Sequence, residues 1–192
     1  MKKESLTTSI LFTLLALIWG SAFILIKKSL LVFSPLEVGA GRIFFASLTL
    51  LPFALRDFKK IPQNKLLIII SSGALGSFLP ALLFALAQSK VGSGYAAILS
   101  GLTPVLTILA GAVLFKHKTH LLQTIGVLIS FSGALFLVFQ GQSFGNIVWV
   151  PSLLIALATL CYALNLNLVK FKLKEVHPLH IYFGQLVIYG SN

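Results

Sequence analysis

Apolar runs of about twenty residues, broken by short polar connectors, fill nearly all of this 192-residue chain. A helix rising ~1.5 Å per residue crosses a hydrocarbon core in ~20 residues. The runs that fit are 6–26, 35–55, 66–87, 94–115, 121–139 and 148–169, and 179–192 is a shorter seventh. The pattern predicts an all-α polytopic membrane protein with about seven transmembrane helices. The connectors are short, so sequential helices are expected to be antiparallel neighbours. The opening Met1-Lys2-Lys3-Glu4 resembles the start of a signal peptide, but the apolar run behind it exceeds a secretory core of ~7–15 residues. It reads as a retained first helix.

A repeat underlies the pattern. With Pro178 set on Pro35, Leu154 falls on Leu11, Leu157 on Leu14 and Leu160 on Leu17. In the same ungapped register Lys170 meets Lys27 and Gly184 meets Gly41. The offset spans five helices, an odd number, so the second copy enters the membrane inverted. Inverted repeats are a mark of secondary transporters. The expected division is a complete five-helix repeat over 1–141 and an incomplete second repeat over 142–192. The last run stops midway through a span, which reads as a fragment of a protein of roughly 290 residues, two repeat lengths.

Composition agrees with lipid as the solvent. The chain is 57% hydrophobic and 10% charged, more apolar surface than a soluble domain of this size can hide. A net charge of +11 would suggest nucleic acid in a soluble protein, but here the bases gather between spans. Lys2 and Lys3, then Arg56, Lys59, Lys60 and Lys65, then Lys116 and Lys118, then Lys170, Lys172 and Lys174 occupy alternate connectors. The other connectors hold Lys27 and Lys28, then Lys90, then none. The positive-inside rule therefore puts the N-terminus in the cytoplasm; the membrane expected is a bacterial inner membrane, and no nucleic-acid partner is expected. Cys161, the single cysteine, lies in a span and has no internal disulfide partner.

Three segments resemble the EamA-type transporters of the drug/metabolite transporter superfamily. The first is Ala16-Leu17-Ile18-Trp19-Gly20-Ser21-Ala22-Phe23, and the second is Pro35-Leu36-Glu37-Val38-Gly39-Ala40-Gly41-Arg42. The third runs from Ala96-Ala97-Ile98-Leu99 to Pro104, continuing with Gln123-Thr124-Ile125-Gly126 and Gly133. The resemblance implies ten helices in two inverted five-helix repeats around a central pathway, exporting small metabolites such as amino acids. One departure is Lys116-His117-Lys118-Thr119-His120, where the family carries an acidic turn.

Candidate chemistry is sparse. Arg42 sits seven residues past Pro35, ~10 Å into its helix, where a charge must face the bundle interior or a wet cavity. Its planar fork suits a substrate carboxylate; the bland alternative is snorkelling to the surface. Trp19 and Phe23, four apart with Ser21 between them, suit an aromatic pocket wall or ordinary packing. Tyr162 and Asn165 hold the repeat positions of Trp19 and Ala22, and a buried Asn165 or Asn167 needs a partner on a neighbouring helix or a substrate. Ser77, Phe78 and Pro80 in the third span, and Ser100, Thr103 and Pro104 in the fourth, read as kinked pathway-lining helices.

The pairs His117/His120 and His177/His180 have helical metal spacing but basic neighbours, so no metal is expected. No nucleotide loop, carboxylate pair or nucleophile elbow is present, so neither an enzyme nor a cofactor is expected. The favoured reading is a transporter, an exporter of small molecules by alternating access, with helices one, three, four and six lining the path. The substrate that fits best is a small zwitterion with an apolar side chain. The alternative is a non-transporting membrane partner subunit, acting as a homodimer, or an inactive truncated fragment.

Overall fold

A computed structural model describes residues 2–57, 63–116, 120–141, 149–174 and 176. All regular structure among them is helical. The helices are α1 (Lys2–Ser29), α2 (Pro35–Asp57), α3 (Leu66–Gly73), α4 (Leu79–Lys90), α5 (Ser93–Ser100), α6 (Leu102–Val113), α7 (Leu121–Gly141) and α8 (Trp149–Lys172). Among the described residues, four rods are long and apolar enough to cross a membrane: Leu6–Ser29, Leu66–Lys90, Ser93–Val113 and Trp149–Lys172. The 23-residue α2 and the 21-residue α7 pack beside them. The expected seventh span, 179–192, lies outside the described residues.

At Pro80 the helix changes type locally. Pro80 has no N–H to give the Gly76 carbonyl, and the turn before it widens to a π-helical segment, Ala74–Phe78. There the Leu79 N–H reaches the Ala74 carbonyl, five residues back. The fourth span breaks at Gly101, whose N–H bonds Ile98 three residues back at 3.0 Å. Pro104 leaves the Ser100 carbonyl without its helical donor, and the Thr103 hydroxyl supplies one at 2.8 Å. Both long rods are thus α-helices with one local defect near a proline.

The rod Trp149–Lys172 is the centre of the bundle, packed on α4 and on α6 along its length. At its start, the Tyr95 and Ser152 hydroxyls share a hydrogen bond of 2.7 Å. Ile155 and Ala158 pack there with Phe84, Ala87, Val91 and Ala96. At its finish, Leu173 and Val176 pack on Ile69, and Phe171 stacks on Phe115 with centroids 5.1 Å apart. So α8 runs antiparallel to α3–α4 and parallel to α5–α6. Because α1 brings Phe23 to Phe84 and Lys27 to Gln88, it runs parallel to α4 and antiparallel to α8.

One end of the bundle therefore holds Lys27, Lys28 and Lys90, and the other holds Lys65, Lys116, Lys170, Lys172 and Lys174. At the first end Ser34 and Glu37 make a reciprocal cap on α2. The Ser34 N–H donates to the Glu37 carboxylate at 2.7 Å, and the Glu37 N–H donates to the Ser34 hydroxyl at 3.3 Å. Glu37 is thus spent on starting its helix. Gly39 lets α2 come close to α4, since a Cβ there would lie 2.6 Å from the Leu82 side chain.

Candidate functional site

Tyr162, at the middle of α8, gathers the chemistry. Arg42 approaches it from α2, near enough for the charge of the guanidinium to act on the phenol. Phe84 of α4 stacks on the Tyr162 ring at 6.1 Å between centroids, and Phe23 of α1 meets Phe84 edge-on at 5.6 Å. Four helices thus converge on one cationic group with an aromatic wall beside it. The Arg42 side chain stays exposed, and Phe23 and Tyr162 are half-buried.

One turn further along the same face of α8 is Asn165. Its amide oxygen accepts the hydrogen bond of the buried Ser72 hydroxyl on α3. The amide also lies against Gly76 in the π segment, where any Cβ would collide with it. Asn167 points elsewhere and is 4% exposed. Its nitrogen donates to the Thr107 carbonyl of α6 and to the Ala163 carbonyl, each at 2.9 Å. A Cβ on Gly111 would lie 2.8 Å from the Asn167 amide oxygen. Both asparagines thus have the neighbouring-helix partners that an amide in lipid requires.

The remaining candidates are scattered. Trp19 is 66% exposed on α1 and does not share the Phe23 environment. The Ser21 hydroxyl donates to the Ile18 carbonyl of its own helix at 2.9 Å and is exposed. The Ser100 hydroxyl donates to the Ala97 carbonyl at 2.6 Å, and Thr103 is held on Ser100. Ser77 and Phe78 are half-buried within the π segment. The structure therefore gathers Phe23, Arg42 and Tyr162 and places Asn165 a turn away, while Trp19 is exposed and the hydroxyls of Ser21, Ser100 and Thr103 are spent on carbonyls of their own spans.

Several residues of this region carried no sequence signal. Phe84 is one of sixteen phenylalanines in an apolar chain. Ser72 is one serine within an apolar run, and Gln88 falls just past the end of that run. Their common clue is spacing: Phe84 and Gln88 are four apart, on one face of α4. Of the histidines, His120 is exposed, while His117, His177 and His180 lie outside the described residues. Among the described residues no group of three His, Cys, Asp or Glu side chains could hold a metal ion.

The fold and this site define a class: a multi-pass membrane protein of apolar helices with one arginine and an aromatic cluster at its crossing point. The EamA-like transporter family matches residues 6–139, and the chain belongs to it. It is 24% identical over 179 residues, 93% of its length, to an uncharacterised transporter of Archaeoglobus fulgidus, of which it covers 63%. It is 32% identical over 140 residues to the WAT1-related protein At1g01070 of Arabidopsis thaliana, covering 66% of this chain and 38% of that one. It is 29% identical over 136 residues to the inner membrane transporter YedA of Escherichia coli, covering 69% and 44%. The chain thus spans about two fifths to just over three fifths of these relatives. No solved structure matches it.

Proposed function

We propose that the protein is a transporter of small carboxylate-bearing solutes, an exporter, with Arg42 as the anchor of the carboxylate. The observation that carries this reading is Arg42 facing Tyr162 beside Phe84 and Phe23, in a chain of the EamA-like family. A guanidinium at this depth is costly in lipid, and a carboxylate satisfies its two-pronged donor geometry. The neighbouring rings offer an apolar surface, so the solute is a small zwitterion with an apolar or aromatic side chain. The hydroxyl of Tyr162 is placed to orient its remaining atoms.

Passage by alternating access is supported by the antiparallel course of α1 and α8, the two rods that head the sequence repeat. It is supported too by the π segment and the Gly101 break, local defects where long helices bend. The basic end, with Lys65, Lys116 and Lys170 to Lys174, is read as cytoplasmic. A second reading, a partner subunit that moves nothing, draws on Asn165 and Asn167, which neighbouring helices already engage. The deciding experiment is counterflow in proteoliposomes of the purified protein with a panel of labelled amino acids. Exchange of apolar zwitterions above empty vesicles supports transport; no exchange of any member favours the partner subunit.

A further inference from the structure

The end of the bundle opposite the basic connectors contains a joint that the substrate site does not use. The Lys27 ammonium, at the finish of α1, donates to the Gln88 backbone carbonyl at 2.7 Å in a partly buried setting. That carbonyl lies in the last turn of α4, where helix carbonyls lack intrahelical donors and the helix dipole is negative. A cation from one helix thus caps the end of another. Beside it the Gln88 side chain is 0% exposed, and among the described residues neither its amide nitrogen nor its oxygen has a partner. Next to this joint along α1 and α4, Ile26, Val38 and Ala85, with Leu30, form an apolar cluster.

These two facts pull in opposite directions. The ammonium–carbonyl bond favours the closed seam, while a buried amide without partners favours any arrangement that wets it. We propose that Lys27 and Gln88 form a latch between α1 and α4, shut in this structure and released when the Lys27 end opens. Release frees the ammonium and hydrates the Gln88 amide together. Because Lys27 grips the backbone, the Gln88 side chain is not needed for closure; it is needed for opening. The proposal rests on the transport reading for its purpose but not for its test.

The test is thiol labelling of the full-length protein in membranes, with Cys161→Ser as background and Ala85→Cys as the reporter in the seam. A membrane-impermeant maleimide is applied from the Lys27 side, without substrate. Lys27→Met is expected to speed labelling roughly tenfold, the effect of losing one charge-assisted hydrogen bond. Lys27→Arg, which can still donate to the carbonyl, is expected to restore the slow rate. Gln88→Leu is expected to slow labelling several-fold below the parent, because the closed seam then buries no orphan amide.

Labelling of Lys27→Met at the parent rate overturns the latch, and so does faster labelling of Gln88→Leu. If Lys27→Met does not fold, Gln88→Leu still decides: slower labelling than the parent supports the latch, and labelling at or above the parent rate overturns it. A parent-rate Lys27→Met with intact counterflow removes the latch alone. Altered labelling with no counterflow of any solute removes the transport reading alone.

Discussion

Asn165 has the role in which a single atom matters most. Its amide fills the space that a side chain at Gly76 would occupy, and its oxygen takes the Ser72 hydroxyl. Gly76→Ala must therefore swing the amide away and break that bond, leaving polar groups unpaired in an apolar seam. The expected cost is about 1–3 kcal/mol, read as a lowered thermal midpoint in detergent. Gly20→Ala, where nothing lies within 4 Å of the added carbon, serves as the control and should leave the midpoint unchanged. Such roles were half legible in the sequence. Asn165 and Arg42 stand out because amides and charges are rare at membrane depth. Ser72 and Phe84 do not, because serine and phenylalanine are ordinary in apolar helices and only the packing selects these two. Gln88 was hidden by its place near a connector, where a glutamine is expected to be wet.

At the scale of elements, the rods and their order follow from the apolar runs, since lipid allows a spanning backbone few alternatives to the helix. The runs also placed the boundaries within a few residues; α1 extends to Ser29 and α8 to Lys172. What the sequence left open was how each proline is absorbed. Pro80 is accommodated by a π turn upstream, and Pro104 by a break at Gly101 with Thr103 covering the freed carbonyl. Neither outcome is written in the proline itself, because each depends on which neighbour helps satisfy the carbonyl. Pro80→Ala returns the missing donor and favours a regular α-helix through Ala74–Phe78. That rotates Ser77 and Phe78 relative to α8, so counterflow should fall several-fold while the thermal midpoint holds or rises. A parallel fall in both would mean that the π segment serves stability rather than movement.

Over the whole molecule, α8 lies between the α3–α4 and α5–α6 rods, and lysines mark the two ends unequally. The uneven charge was plain in the connectors, whereas the central place of α8 was not, because periodicity cannot say which of several apolar helices is innermost. The orientation read from charge is checked by impermeant labelling of single cysteines in intact cells. Lys90→Cys is expected to react from outside and Lys174→Cys only after the membrane is opened. The most direct measurement of the central claim is counterflow with Arg42→Ala and Arg42→Lys against the parent, at matched amounts of reconstituted protein. If Arg42 anchors a carboxylate, Arg42→Ala loses exchange of zwitterions at least about tenfold, and Arg42→Lys, keeping the charge but not the fork, loses less. Exchange unaffected by Arg42→Ala in folded protein would contradict the anchor and return Arg42 to a structural role beside Tyr162.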